Sequence, residues 1–71
     1  MLTLAILLTA MSGDYCELRS KGNNQVKSVL IAFHRAQQKH DPQEVEKILL
    51  ETDGLGTMAV AVAATRCPQH L

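Results

Sequence analysis

The sequence predicts an all-α fold: a small bundle of three short helices, or four if residues 2–11 are retained, closed by one disulfide. Three observations predict it. Apolar residues recur with the helical period between residues 25 and 40. Helix-start signals stand at Asn24 and Asp41, and one cysteine lies on each side of these segments. With 71 residues, the chain forms one domain whose small core needs support from a covalent tie or a partner.

The first twelve residues have the features of a secretory signal peptide. Residues 2–10, LTLAILLTA, are apolar and uncharged, and the small residues around Ser12 would permit cleavage after it. No Lys or Arg precedes the apolar run, and the run is too short for a stable membrane span. We therefore expect a signal peptide over residues 1–12 and a single helical domain over residues 13–71. The alternative is an N-terminal helix packed in the core.

The first helix of that domain is predicted from Gln25 to about His40. Residues 20–24, SKGNN, have the composition of a turn, and Asn24 is a suitable N-cap. On a helical wheel one apolar stripe forms, and it is expected to face the core. Its members are Val26, Val29, Leu30 and Phe33, continued by Ala36 and Gln37.

A second helix is predicted to start at Asp41. Asp41 suits the N-cap, Pro42 the first helical position, and Glu44 the third position after the cap. Asp53 and Gly54 end the segment. The expected buried face consists of Val45, Ile48, Leu49 and Thr52.

The last helix is predicted in residues 58–67, MAVAVAATRC, with Thr57 as its cap and Pro68 just past its end. The alternation of Ala and Val would also suit a strand. Ala is the best helix former and is depleted in strands, so a helix is favoured.

Two cysteines, Cys16 and Cys67, stand before the first of these helices and at the end of the last. In an exported chain an even count of two predicts one disulfide. A bond across this separation stabilises the fold by about 4 kcal/mol in the chain-entropy description. An intermolecular bond is one alternative, and two free thiols in a reducing compartment are another.

Ile31 and Leu50 are large apolar residues that lie off the main stripes of their helices. Either a neighbouring helix covers them, or they form a patch for partner contact. The expected partner is another protein or a second copy of the chain.

Charge and composition limit the remaining classes of function. Seven basic and seven acidic residues give a formal net charge of zero, whereas nucleic-acid binders usually carry a basic excess. No nucleic acid is therefore expected as a partner. Residues 45–66 have a helix–turn–helix outline, but the second helix offers almost nothing that hydrogen-bonds a base.

No catalytic residues, cofactor or metal site are predicted. No serine or cysteine stands in a nucleophile motif. A zinc site would combine Cys67 and His70 with Cys16, His34 or His40, but His34 and His40 are separated by about 120° on a helix. Solvated histidines are the favoured interpretation.

The cysteine-containing segments carry a resemblance to a known family. The stretch Tyr15-Cys16-Glu17-Leu18 and the tail from Ala64, ATRCPQHL, resemble a family of small exported bacterial helical domains of unknown function. Its members commonly carry a Cys-Pro-Gln tail after an Ala-rich helix. The architecture is also similar to that of the acid-stress periplasmic chaperones. These resemblances imply an exported helical domain tied by a disulfide, and the second implies a chaperone-like activity.

The sequence thus predicts a small exported protein, periplasmic or secreted, that acts by protein–protein contact as an accessory or chaperone-like factor. The alternative is an intracellular regulatory or DNA-associated helical module in which residues 1–11 form a packed helix.

Overall fold

The computed structural model describes residues 3–70; the first two residues of the predicted signal peptide and the last residue of the tail motif lie outside this range. The described chain is all-α, as predicted. It has four α-helices, so the prediction of three helices is wrong. The alternative of four helices, with one in the N-terminal segment, is confirmed. The elements are α1 (Leu4–Ser20), α2 (Gln25–Lys39), α3 (Pro42–Glu51), α4 (Leu55–Arg66) and a 3₁₀ turn (Pro68–His70).

Helix α1 runs without a break through Ser12, the residue before the predicted cleavage point. It begins after Thr3, whose hydroxyl accepts a hydrogen bond from the Ile6 amide at 3.4 Å. Leu7 and Met11 are fully buried in the core of the bundle. The signal peptide stays a prediction, and residues 4–12 form the first half of a core helix.

Helix α2 begins where the cap signal predicts, because Asn24 Oδ1 accepts a hydrogen bond from the Lys27 amide at 2.8 Å. Its buried face differs from the predicted stripe. Val26 is 65% exposed and Leu30 46% exposed. The buried residues are Ser28, Val29, Ala32 and Ala36. Helix α2 packs against both α1 and α4, and the side chains that it buries there are mostly small, which allows the helix axes to approach closely.

Helix α3 follows its sequence signals closely. Asp41 Oδ1 accepts a hydrogen bond from the Gln43 amide at 2.9 Å, and Pro42 is the first helical residue. The predicted face is confirmed: Val45 and Ile48 are buried, and Leu49 and Thr52 are half-buried.

Helix α4 is helical throughout the Ala-rich stretch, as predicted, but it starts earlier. Its first residue is Leu55 and its N-cap is Gly54, with no side-chain cap hydrogen bond. Thr57 as the cap is therefore wrong. Asp53 and Gly54 have φ angles of 61° and 104°, so the chain turns sharply there and the next helix begins at once.

The core is small and rich in small side chains. Its largest fully buried members are Tyr15, Leu7, Met11 and Met58. Four alanines complete the contacts between the helices: Ala32, Ala36, Ala59 and Ala63. Each large side chain in this core therefore carries a substantial share of the total apolar burial.

The position of Leu7 gives a direct test of the role of α1 in the fold. Leu7→Ala is expected to lower the free energy of unfolding by about 2–5 kcal/mol, because it opens a cavity in the core. Ile6→Ala is the matched control, since Ile6 is 49% exposed on the same turn, and it should change stability by less than about 1 kcal/mol. Urea denaturation of the oxidised full chain measures both. Equal effects of the two substitutions would contradict the burial of α1.

Candidate functional site

The covalent bond between α1 and α4 is the most distinctive feature of the molecule. Cys16, four residues before the end of α1, is bonded to Cys67, the residue that caps the C-terminal end of α4. Their Cα atoms are 5.8 Å apart and their sequence separation is 51 residues. The predicted intramolecular disulfide is confirmed. Cys67 is only 2% exposed, whereas Cys16 is partly exposed.

Arg66 lies against α1 beside this bond. A Cβ atom built on Gly13 would stand 3.1 Å from Arg66 Nη1, so the guanidinium rests on the bare backbone of that glycine. Gly13 lies one helical turn before Cys16 on the same side of α1. The contact places the cation of Arg66 against α1, one helical turn from Cys16.

The two carboxylates near Cys16 on α1 are each paired with a cation. Asp14 accepts a hydrogen bond from Arg35 of α2 at 3.4 Å, which joins α1 to α2. Glu17 lies 3.0 Å from Lys21 on the surface. The hydrogen bond and the charge of Lys21 lower the pKa of Glu17. The small stabilisation from this pair is therefore present at neutral pH and disappears as the pH falls through the lowered pKa.

The two residues predicted to contact a partner have different surroundings. Leu50 on α3 is 76% exposed, so no neighbouring helix of the described chain covers it. Ile31 on α2 is half-buried. They lie on different helices, and their role in partner contact stays a prediction.

A second apolar surface, on the outer side of α1, was missed by reasoning from the sequence. Ala5, Ile6, Thr9 and Ala10 line a shallow open depression there. No charged residue occurs between Leu4 and Gly13. This lack of charge is visible in the sequence, but it equally suits a signal peptide, so it does not by itself indicate an exposed apolar face.

Two buried hydroxyl groups lack a hydrogen-bond partner within the described chain. They are Tyr15 Oη and Ser28 Oγ, and both residues are fully buried. By contrast, Ser12, also buried, donates to the Thr9 carbonyl at 2.9 Å. A buried hydroxyl without a partner costs about 1–3 kcal/mol relative to water.

The described residues contain no group of three His, Cys, Asp or Glu side chains close enough to hold a metal ion. Both cysteines considered as zinc ligands are joined to each other instead. Within residues 3–70, no single helix has the length and hydropathy to cross a membrane. Helices α3 and α4 reach that threshold only as a pair, and they are bent by 95° where they meet.

No family model, curated protein or solved structure matches this chain. The two family resemblances noted from the sequence therefore stay hypotheses, and the function has to be inferred from the residues themselves.

The unpartnered hydroxyl of Tyr15 leads to a prediction about stability that is opposite in sign to the usual effect of removing a buried hydroxyl. Tyr15→Phe is expected to leave stability unchanged or raise it by about 1 kcal/mol, because it removes a buried polar group and keeps the ring. A buried tyrosine with a satisfied hydroxyl would lose stability in the same substitution. Denaturant titration of the oxidised protein measures the difference, with Ser12→Ala as a comparison at a satisfied hydroxyl. A loss above about 1 kcal/mol for Tyr15→Phe would show that the hydroxyl has a partner.

Proposed function

We propose that the protein works in an oxidising compartment, as an exported periplasmic or secreted factor, and acts by contact with another protein. The observation that carries the proposal is the Cys16–Cys67 disulfide. Structural disulfides persist in oxidising compartments and are rare in the cytosol. In so small a domain, a bond that contributes about 4 kcal/mol is a large share of the total stability.

We also propose that residues 4–12 stay in the mature protein as the first half of α1. Cleavage after Ser12 would remove Leu7 and Met11, two of the largest fully buried side chains. The remaining core would consist mainly of short side chains from α2, α3 and α4. Retention of the N-terminal segment preserves the core. The intracellular alternative also retains this segment, and the packing favours that part of it.

Action by contact is supported by the character of the surface. Leu50 and Val26 are exposed apolar side chains on α3 and α2. A formal net charge of zero gives the surface no strong electrostatic preference for nucleic acid or for anionic lipid. A contiguous exposed apolar patch marks a protein-binding surface, and we propose that these side chains contribute to one.

An acid-triggered chaperone activity receives less support from the structure. No carboxylate or imidazole among the described residues is fully buried; the buried polar residues are Ser12 and Ser28. Acid-triggered opening usually depends on protonation of buried or paired groups. The Glu17–Lys21 pair is exposed, and in the Asp14–Arg35 pair the arginine is exposed and the aspartate only partly buried. A contact surface that is present at neutral pH is the simpler proposal.

Peptide mapping of the protein isolated from its host without reductant tests compartment and retention together. Trypsin cuts after Arg19 and after Arg66, so the disulfide joins the peptide that ends at Arg19 to the peptide that begins at Cys67. We expect a linked species that contains residues 4–12. A linked species that starts at Gly13 would establish cleavage after Ser12 and contradict retention. Two separate peptides with free thiols would contradict the oxidising compartment and favour the intracellular alternative.

The contact proposal is tested in the living host with a chemical cross-linker. We expect a cross-linked complex that contains this chain and that is lost in Leu50→Glu, because a charge at an exposed apolar contact opposes its burial. Gln38→Glu is the matched control, since Gln38 is exposed on α2, and it should preserve the complex. A complex of twice the mass of the chain would identify a second copy as the partner. Persistence of the complex in Leu50→Glu would exclude Leu50 from the contact.

A further inference from the structure

We propose that the Cys16–Cys67 bond is a redox latch, opened by a small anionic thiol such as glutathione that attacks Cys16 and displaces Cys67. This chemistry belongs to the oxidised chain itself. Its test on the purified oxidised chain is therefore separate from the tests of the compartment, the partner and the retention of residues 4–12.

Access selects the sulfur that is attacked. A thiolate reaches a disulfide sulfur from the side opposite to the S–S bond, so that sulfur has to be approachable from solvent. Cys67 is 2% exposed, and Cys16 is partly exposed near the C-terminal end of α1. Cys16 is packed against the core but partly exposed, so attack there requires less opening of the core than attack at Cys67.

The charges around Cys16 favour an anionic nucleophile. Arg66 lies against Gly13, one turn from Cys16 on α1, and contributes a positive charge to this part of the surface. The two acidic neighbours of Cys16, Asp14 and Glu17, are paired with Arg35 and Lys21 respectively. Their repulsion of an anion is thereby reduced.

The exchange proceeds in two balanced steps. The incoming thiolate forms a bond with Cys16 Sγ, the S–S bond breaks, and its electron pair leaves on Cys67 Sγ, which takes a proton from water. A second thiol of the same class then attacks the mixed disulfide on Cys16. It releases Cys16 as a thiolate and carries away the oxidised form of the reductant.

The displaced Cys67 thiolate is poorly placed where it forms. It lies in the core at the C-terminal end of α4, where the partial negative charge of the helix and the apolar surroundings both disfavour an anion. Protonation to the thiol removes this charge, and α1 and α4 are then held together only by non-covalent contacts. Loss of the bond and loss of the contact between α1 and α4 are therefore coupled.

Opening the latch is expected to shift the folding equilibrium strongly toward the unfolded chain. Loss of a bond that closes a loop of this length lowers the folding equilibrium constant about a thousandfold. Since the core consists largely of small side chains, little stability remains to hold the reduced chain together. The latch thus determines whether the bundle is folded.

The order of attack is measured on the oxidised full chain. The protein is incubated with glutathione, quenched with acid after short times, alkylated and digested with trypsin, which separates Cys16 from Cys67. We expect the first mixed disulfide on Cys16 in at least about tenfold excess over Cys67. The same protein in concentrated urea is the control, and there the excess should vanish. Equal amounts in native buffer, or a first adduct on Cys67, would overturn the proposal.

Two further measurements test the electrostatic and the structural parts. Arg66→Gln should slow the first step about two- to fivefold at low ionic strength, with Lys47→Gln on α3 unchanged. Circular dichroism after full reduction should show loss of most of the helical signal, and a Cys16→Ala/Cys67→Ala variant should lack that signal before any thiol is added. An unchanged rate for Arg66→Gln would remove Arg66 from the latch. Full helicity in the reduced chain would refute the coupling of bond and fold.

Discussion

The Cys16–Cys67 bond holds α1 against the C-terminal end of α4, and the packing of the remaining helices is arranged around that contact. Helix α2 packs against both joined helices, and α3 packs against α2. A chain of 71 residues buries a limited apolar surface. A covalent tie that reduces the entropy of the unfolded chain therefore contributes a larger fraction of the stability here than it would in a larger domain.

Small side chains at the helix contacts explain both the compactness of the core and the character of the surface. Alanines of α2 and α4 allow the helices to approach closely. The same packing turns Val26, Leu30 and Val60 toward solvent. Apolar residues that a larger bundle would bury are left on the outside, where they support the proposal that the protein acts by contact.

The apolar composition of the N-terminal segment suits two different roles. An uncharged run such as LTLAILLTA suits both a signal peptide and a buried helix, since each requires continuous hydrophobicity and good helix formers. The packing supplies a distinction that hydropathy does not: Leu7 and Met11 point into the core, while Ile6 and Ala10 stay exposed.

The sequence by itself determined the fold class and the start of two helices, and it predicted a disulfide without deciding between an intramolecular bond, an intermolecular bond and free thiols. The caps at Asn24 and Asp41 and the Ala-rich last helix depend on hydrogen bonds and backbone preferences within a few residues, so local sequence is sufficient to predict them. Only the tertiary structure decided that α1 belongs to the core, that α2 buries Ser28 and Ala32 in place of Val26 and Leu30, and that Cys16 is bonded to Cys67 within one chain. Burial depends on which helices are neighbours and how closely they approach, and these are relations between residues far apart in the chain.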